Sequence, residues 1–263
     1  MDSTTIDLCL TLFPWADFRA TKAAVKAHTI IDLRGAIPVF LTITTGKVHD
    51  VNLLDAVRLP AGAIVVVDRG YLDFARLYAL MQRQCSFVVR AKDNLRYTWI
   101  ESRKVDKTTG LRSDQTVLLV TAKSKRAYPK RLRRVSFRDA ETGLYLVFLT
   151  NRFDLPAITI AAIYKQRWQI ELFFKWLKQN LSVKHFFGNS LNAVKSQIWI
   201  AVCVYLLVII AKKRLAMDVS PQIFLNLIEV NMFEKITINQ MVTDALLNVD
   251  DPILDNQLNL FTF

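Results

Sequence analysis

A chain of 263 residues, 52% of them apolar, can bury a sizeable core without covalent staples, which excludes a scaffold that depends on disulfides. Lys and Arg number 35 against 23 Asp and Glu, and the net charge of +12 points to an anionic partner such as nucleic acid or an acidic membrane surface. Cys9, Cys85 and Cys203 are odd in number and far apart, and His28, His49 and His185 show no zinc spacing, so neither a disulfide framework nor a zinc site is expected and a reducing cytosol is.

In chain order, Asp2 to Leu12 alternates β-branched and apolar residues and reads as a strand that carries Asp2 at its start. No signal peptide is expected there, because Met1-Asp2 offers neither a basic region nor an apolar core. Ala23 to Leu33 and Val39 to Thr45, parted by a turn at Gly35, complete three antiparallel strands. Val51 to Leu59 has helical spacing. The continuous run Ala63-Ile64-Val65-Val66-Val67 suits a strand buried on both faces, in parallel pairing, and it ends at Asp68. Open α/β sheets place ligands at that end of a strand; the competing reading makes Asp68 a cap or turn residue for the following helix, Asp73 to Gln84. Ser86 to Arg90 is the next strand.

From Leu95 to Thr150 charged turns (Lys104 to Arg112, Lys123 to Arg134) alternate with short strands at Thr116 to Thr121, Arg134 to Arg138 and Leu144 to Thr150, a β-rich insertion. Lys123, Lys125, Arg126, Lys130, Arg131, Arg133 and Arg134 form its densest positive charge, either a solvated loop or a patch that contacts a nucleic-acid backbone. Asp154-Leu155-Pro156 signals a helix start. Further helices are expected at Leu191 to Arg214, Pro221 to Glu229 and Gln240 to Leu247, with a loose tail from Asp250. The apolar run Ile198 to Ala211, 14 residues, is short of the roughly 18 to 20 that span a bilayer, so a buried core helix is expected and no membrane partner.

The stretch Tyr164 to Lys178 carries the chemistry. At about 100° per residue, Tyr164, Arg167, Glu171 and Lys178 fall within a stripe roughly 60° wide, with Lys175 beside it. Ile163, Ile170, Phe173, Leu177 and Leu181 form the opposite, apolar side, flanked by Leu172, Phe174 and Trp176. On an ordinary solvated helix Glu171 would simply pair with Lys175 or Arg167. Trp168 and Trp176 are core residues or base-stacking platforms.

The order of elements resembles the ribonuclease-H-like fold, an α/β architecture with a mixed sheet flanked by helices, here with a β-rich insertion before the helix of Glu171. The spacing Tyr164-x2-Arg167-x3-Glu171-x6-Lys178 resembles the Y-x2-R-x3-E-x6-K signature of DDE transposases of bacterial insertion sequences. Asp2-Ser3-Thr4-Thr5-Ile6 and Val67-Asp68-Arg69-Gly70-Tyr71 are similar to that family's other two catalytic motifs, and Lys26-Ala27-His28, Phe87 to Lys92 and Gln197-Ile198-Trp199 extend the likeness over nearly the whole chain.

The resemblance implies that Asp2, Asp68 and Glu171 are catalytic and hold two Mg²⁺ or Mn²⁺ ions, and that Tyr164, Arg167 and Lys178 contact phosphates of transposon-end DNA. It implies cleavage at the transposon ends and transfer of the freed 3′-ends to target DNA, in the bacterial cytoplasm at the nucleoid. Because two ends are joined, a homodimer on DNA is an expected assembly. The expected division is 1–94 and 154–250 as the two parts of the catalytic core, 95–153 as the insertion and 251–263 as a tail. Family members carry a further region ahead of the first aspartate, whereas Asp2 is the second residue here. This favours an isolated catalytic domain or a truncated product, and leaves a DNA-binding remnant without catalysis, and a nuclease that cuts without joining, as the rival readings.

Overall fold

The computed structural model describes residues 1–180, 186–238, 240, 241 and 243. His185, Leu181, most of the helix expected from Gln240 and the tail lie outside them. The chain divides into two compact units, Met1–Ile198 and Trp199–Phe263.

In the first unit, β1 (Asp2–Leu8), β3 (Lys22–Asp32) and β4 (Ile37–Thr45) are the three expected antiparallel strands, joined by the short β2 (Asp17–Arg19). β1 pairs with β3 so that Asp2 lies opposite Thr29, and β4 covers the other edge of β3. A second sheet of six strands has the order β5-β6-β10-β9-β8-β7, with β5 (Ile64–Val67) parallel to β6 (Ser86–Arg90) and the other pairs antiparallel. The two sheets meet where the Met1 nitrogen donates to the Val66 carbonyl at 3.0 Å. This bond sets the start of β1 beside the end of β5, where Met1, Ile30 and Phe40 also pack into one core with Val65 and Val67.

The unbroken apolar sequence of β5 and β6 is explained by burial on both faces. Alternation sends Val65, Val67, Phe87 and Val89 to one side, where they pack with Leu77 and Leu80 of α2 (Phe74–Gln82). Val66 and Val88 go to the other side, against Phe148 and against Ile160, Ala161 and Tyr164 of α4 (Ala157–Lys165). A short α1 (Leu53–Ala56) lies where a longer helix was expected from Val51 to Leu59. It stops at Val57, whose backbone turns extended and whose amide donates to the Leu53 carbonyl, shortly before Pro60.

The β-rich segment holds one strand more than the sequence pattern indicated, β7 (Tyr97–Arg103), besides β8 (Leu111–Leu119), β9 (Leu132–Arg138) and β10 (Tyr145–Thr150). Most of β7 is exposed, so it carries no apolar alternation by which to be recognised. The charged stretch at Lys123 forms a short helix, α3 (Ala122–Ala127), because the Thr121 hydroxyl caps it by accepting from the Ser124 amide. The basic cluster is divided among different environments. Lys123, Lys125, Arg126, Lys130 and Arg131 are exposed, Arg134 is half-buried over the Tyr97 ring, and Arg133 is buried against Asp114.

The stretch of Tyr164 to Lys178 is not one continuous helix. α4 ends at Lys165 and α5 (Trp168–Asn180) begins after a turn at Gln166 and Arg167. There the amides of Arg167, Gln169 and Ile170 bond three residues back, to Tyr164, Gln166 and Arg167, which tightens the backbone. α5 buries Ile170, Phe173, Phe174, Trp176 and Leu177 as expected, while Leu172 and Trp168 are exposed.

In the second unit Val208, Val219, Phe224 and Met241 form a small core that draws on α6 (Leu191–Arg214) and α7 (Pro221–Val230). Among the described residues α6 alone is long and apolar enough, by length and composition, to cross a membrane. Of its 18-residue apolar window 33% is buried, less than a core helix would show, and Trp199, Ile200, Leu207 and Ile210 are exposed.

Candidate active site

The site forms where the two sheets abut. Alternation along β5 puts Val67 on the α2 side, so Asp68, next in sequence, turns to the α4 side. There its Oδ1 accepts the Tyr164 hydroxyl at 3.0 Å. The capping role that competed for Asp68 belongs to Asp73, whose carboxylate accepts the Arg76 amide at the start of α2. Tyr164 continues the buried face of α4 after Ala157, Ile160 and Ala161, and is 6% exposed under the Phe148 ring at 4.6 Å. Tyr164 is thus not on an outward-facing stripe. Burial, and secondly the nearby Asp68 charge, push its phenol up to about 12.

Asp2 lies on β1, and Arg167 Nη1 donates to its Oδ2 at 3.0 Å while Arg167 Nη2 donates to Glu171 Oε1 at 2.5 Å. The i, i+4 ion pair of an ordinary helix therefore does form, but it is shared with a carboxylate 165 residues away and is largely shielded, with the Arg167 side chain 16% exposed. Asp2 Oδ1 also accepts the Ser3 amide at 2.9 Å. Burial raises the Asp2 carboxyl above its ordinary range, against the pull of the Ser3 amide and Arg167. Asp2, Ser3, Thr4, Glu171, Lys175 and Lys178 line one open cleft of about 520 Å³.

The structure thus gathers Asp2, Glu171 and Lys178 at one cleft and links Asp68 to the same place through Tyr164, which stacks 5.6 Å from the Arg167 guanidinium. Among the described residues no three Asp, Glu, His or Cys side chains stand close enough to hold a metal ion as they are placed. The chemistry of the donors nevertheless suits a hard divalent cation, since all three are carboxylates and a cationic group, Arg167, already bridges two of them.

Two neighbours were not singled out for this site from the sequence. Arg90 ends β6, beside the end of β5, and its charge partly opposes the rise of the Tyr164 phenol; its place at the carboxyl end of a buried strand is the signal that could have found it. Behind Asp2, Ser3 Oγ donates to Asp50 Oδ1 at 2.7 Å and Lys26 Nζ donates to the same oxygen at 3.1 Å. His28 is buried beside them, its Nε2 2.9 Å from the Thr44 hydroxyl. The Lys26-Ala27-His28 stretch carried that signal without its partner, Asp50.

Comparison with known proteins agrees with this architecture. A family model described as a transposase DDE domain matches residues 1–207. A putative transposase, y4zB, of Sinorhizobium fredii is 34% identical over 217 residues, 81% of this chain and 60% of its own length. A probable transposase for insertion sequence element IS5377 of Geobacillus stearothermophilus is 35% identical over 209 residues, 79% of this chain and 54% of its own. The chain therefore spans little more than half the length of these relatives. With its mixed α/β, ribonuclease-H-like fold, the chain belongs to the DDE-domain transposases of insertion sequences.

Proposed function

We propose that this chain is the catalytic domain of a transposase that cleaves DNA strands at transposon ends and transfers them to target DNA, with Asp2, Asp68 and Glu171 as the catalytic carboxylates. The observation that supports it best is the meeting of Asp2 and Glu171, 169 positions apart in sequence, on one guanidinium beside Asp68. The three carboxylates would hold two Mg²⁺ or Mn²⁺ ions, which when bound lower the charge on a reacting phosphate and favour deprotonation of the attacking water or 3′-hydroxyl.

The chain's own residues position the substrate. Lys178 is exposed on the rim of the cleft and supplies a mobile positive charge for a phosphate. Arg167 offers a planar pair of donors that matches phosphate oxygens, and Tyr164 a single hydroxyl. These contacts fix the register of the strand without reading its bases. The partners are transposon-end and target DNA, with a homodimer as the assembly that brings two ends together, in the bacterial cytoplasm at the nucleoid.

The test is Glu171→Gln in a Mg²⁺-dependent cleavage and strand-transfer assay. The expected result is loss of both products with DNA binding kept. Retained cleavage would sink the assignment. Binding without metal-dependent turnover in the unmodified chain would identify a DNA-binding remnant, and cleavage without joined products a nuclease.

A further inference from the structure

We propose that Arg167 is the resident counter-ion of the carboxylate cluster, occupying the place of a divalent cation between Asp2 and Glu171 until DNA draws it away. This rests on the metal-site reading above. Its guanidinium bonds both carboxylates at once, through Nη1 at 3.0 Å and Nη2 at 2.5 Å. The third nitrogen, Nε, is buried and has no acceptor among the described residues. That nitrogen is open to a further acceptor, a water or a phosphate oxygen.

Arg167 lies in the tight turn that parts α4 from α5. It stands just ahead of α5, from where it reaches Glu171 one turn on and Asp2 of β1 across the same cleft. A cation seated between the same two carboxylate oxygens would stand against the positive guanidinium that bridges them, so the two compete for one place by charge. DNA and metal are therefore coupled. A phosphate that takes Arg167 frees Asp2 and Glu171 for cations, and cations that take the carboxylates free Arg167 for the phosphate. Linkage requires each to raise the other's affinity by the same factor. In the absence of DNA the site resists loading, which restrains metal-dependent cutting until a substrate is seated.

The experiment is a Mn²⁺ titration of the DNA-free chain, followed by electron paramagnetic resonance of the unbound ion, for the unmodified protein, Arg167→Gln, Arg167→Lys and Glu171→Gln. Removal of the internal cation in Arg167→Gln is expected to tighten Mn²⁺ binding by on the order of tenfold, which corresponds to about 1.4 kcal/mol. Arg167→Lys, a point charge without the planar fork, is expected to fall between the two, and it carries the test if Arg167→Gln fails to fold. Unchanged or weaker binding in the Arg167 variants, with binding lost in Glu171→Gln, overturns the counter-ion role and leaves the metal site standing. Binding in Glu171→Gln equal to that of the unmodified chain overturns the metal-site reading itself.

Discussion

Arg133 offers a severe test of how the six-stranded sheet holds α4 in place. Its side chain is 4% exposed and that of its partner Asp114 is 5%, and the two are joined by a fork, Nε to Oδ1 at 2.9 Å and Nη2 to Oδ2 at 2.8 Å. The remaining nitrogen donates to the carbonyls of Arg152 and Leu155, which lead into α4 and so toward Tyr164. Arg133→Met keeps the stem and removes the charge, leaving Asp114 buried. Breaking a buried pair in this way costs about 3 to 5 kcal/mol. Arg103 Nη1, 3.3 Å from Asp114 Oδ1 and 31% exposed, retains part of the compensation, which places the loss near the low end, about 3 kcal/mol. Urea unfolding at 25 °C, followed by circular dichroism, measures it. A loss under about 1 kcal/mol would refute the reasoning. The double variant Asp114→Leu with Arg133→Met, which leaves no orphaned charge, is expected to recover most of the loss.

Three further outcomes are expected. Gly110 has φ +91° and an added Cβ would stand 2.6 Å from the Arg138 carbonyl oxygen, so Gly110→Ala should lower the unfolding free energy by more than about 1 kcal/mol, read as a fall in Tm. Tyr164→Phe removes the hydroxyl that Asp68 accepts and should cost about 1.5 kcal/mol in urea titration, because a hydrogen bond to a charged group is lost; an unchanged midpoint would deny that bond a role. Burial, opposed by Asp50 and aided by Lys26, holds the His28 imidazole below its ordinary 6.5, so the unfolded chain binds the proton more readily than the folded one. Stability from this group is therefore present above pH 6.5 and lost as pH falls below it. Between pH 7.5 and 5.5 Tm should fall more steeply for the unmodified chain than for His28→Gln, and equal slopes would remove His28 from the cause.

The alternating and continuous apolar runs fixed which strands form, since a residue's side of a strand follows from its parity alone. They put β1, β3 and β4 together, left β5 and β6 buried on both faces, and set Asp68 at a strand's carboxyl end. The spacing from Tyr164 to Lys178 marked this stretch through its resemblance to the family signature, while the single helical stripe it also implied is parted at Gln166 and Arg167. β7 escaped because an exposed strand has no apolar alternation, and the split of the basic cluster escaped because charge density along a sequence is blind to a partner such as Asp114.

Sequence by itself determined the family, the α/β fold and the residue types gathered at the site. Only the tertiary structure decided how those residues face one another. A turn at Gln166 and Arg167 parts the expected helix, so that Tyr164 follows the buried face of α4 to Asp68 while Arg167, ahead of α5, lies between Asp2 and Glu171. The physical reason is that helical periodicity predicts a direction only while the backbone keeps its hydrogen-bond step, and here long-range partners on β1 and β5 coincide with a change of that step.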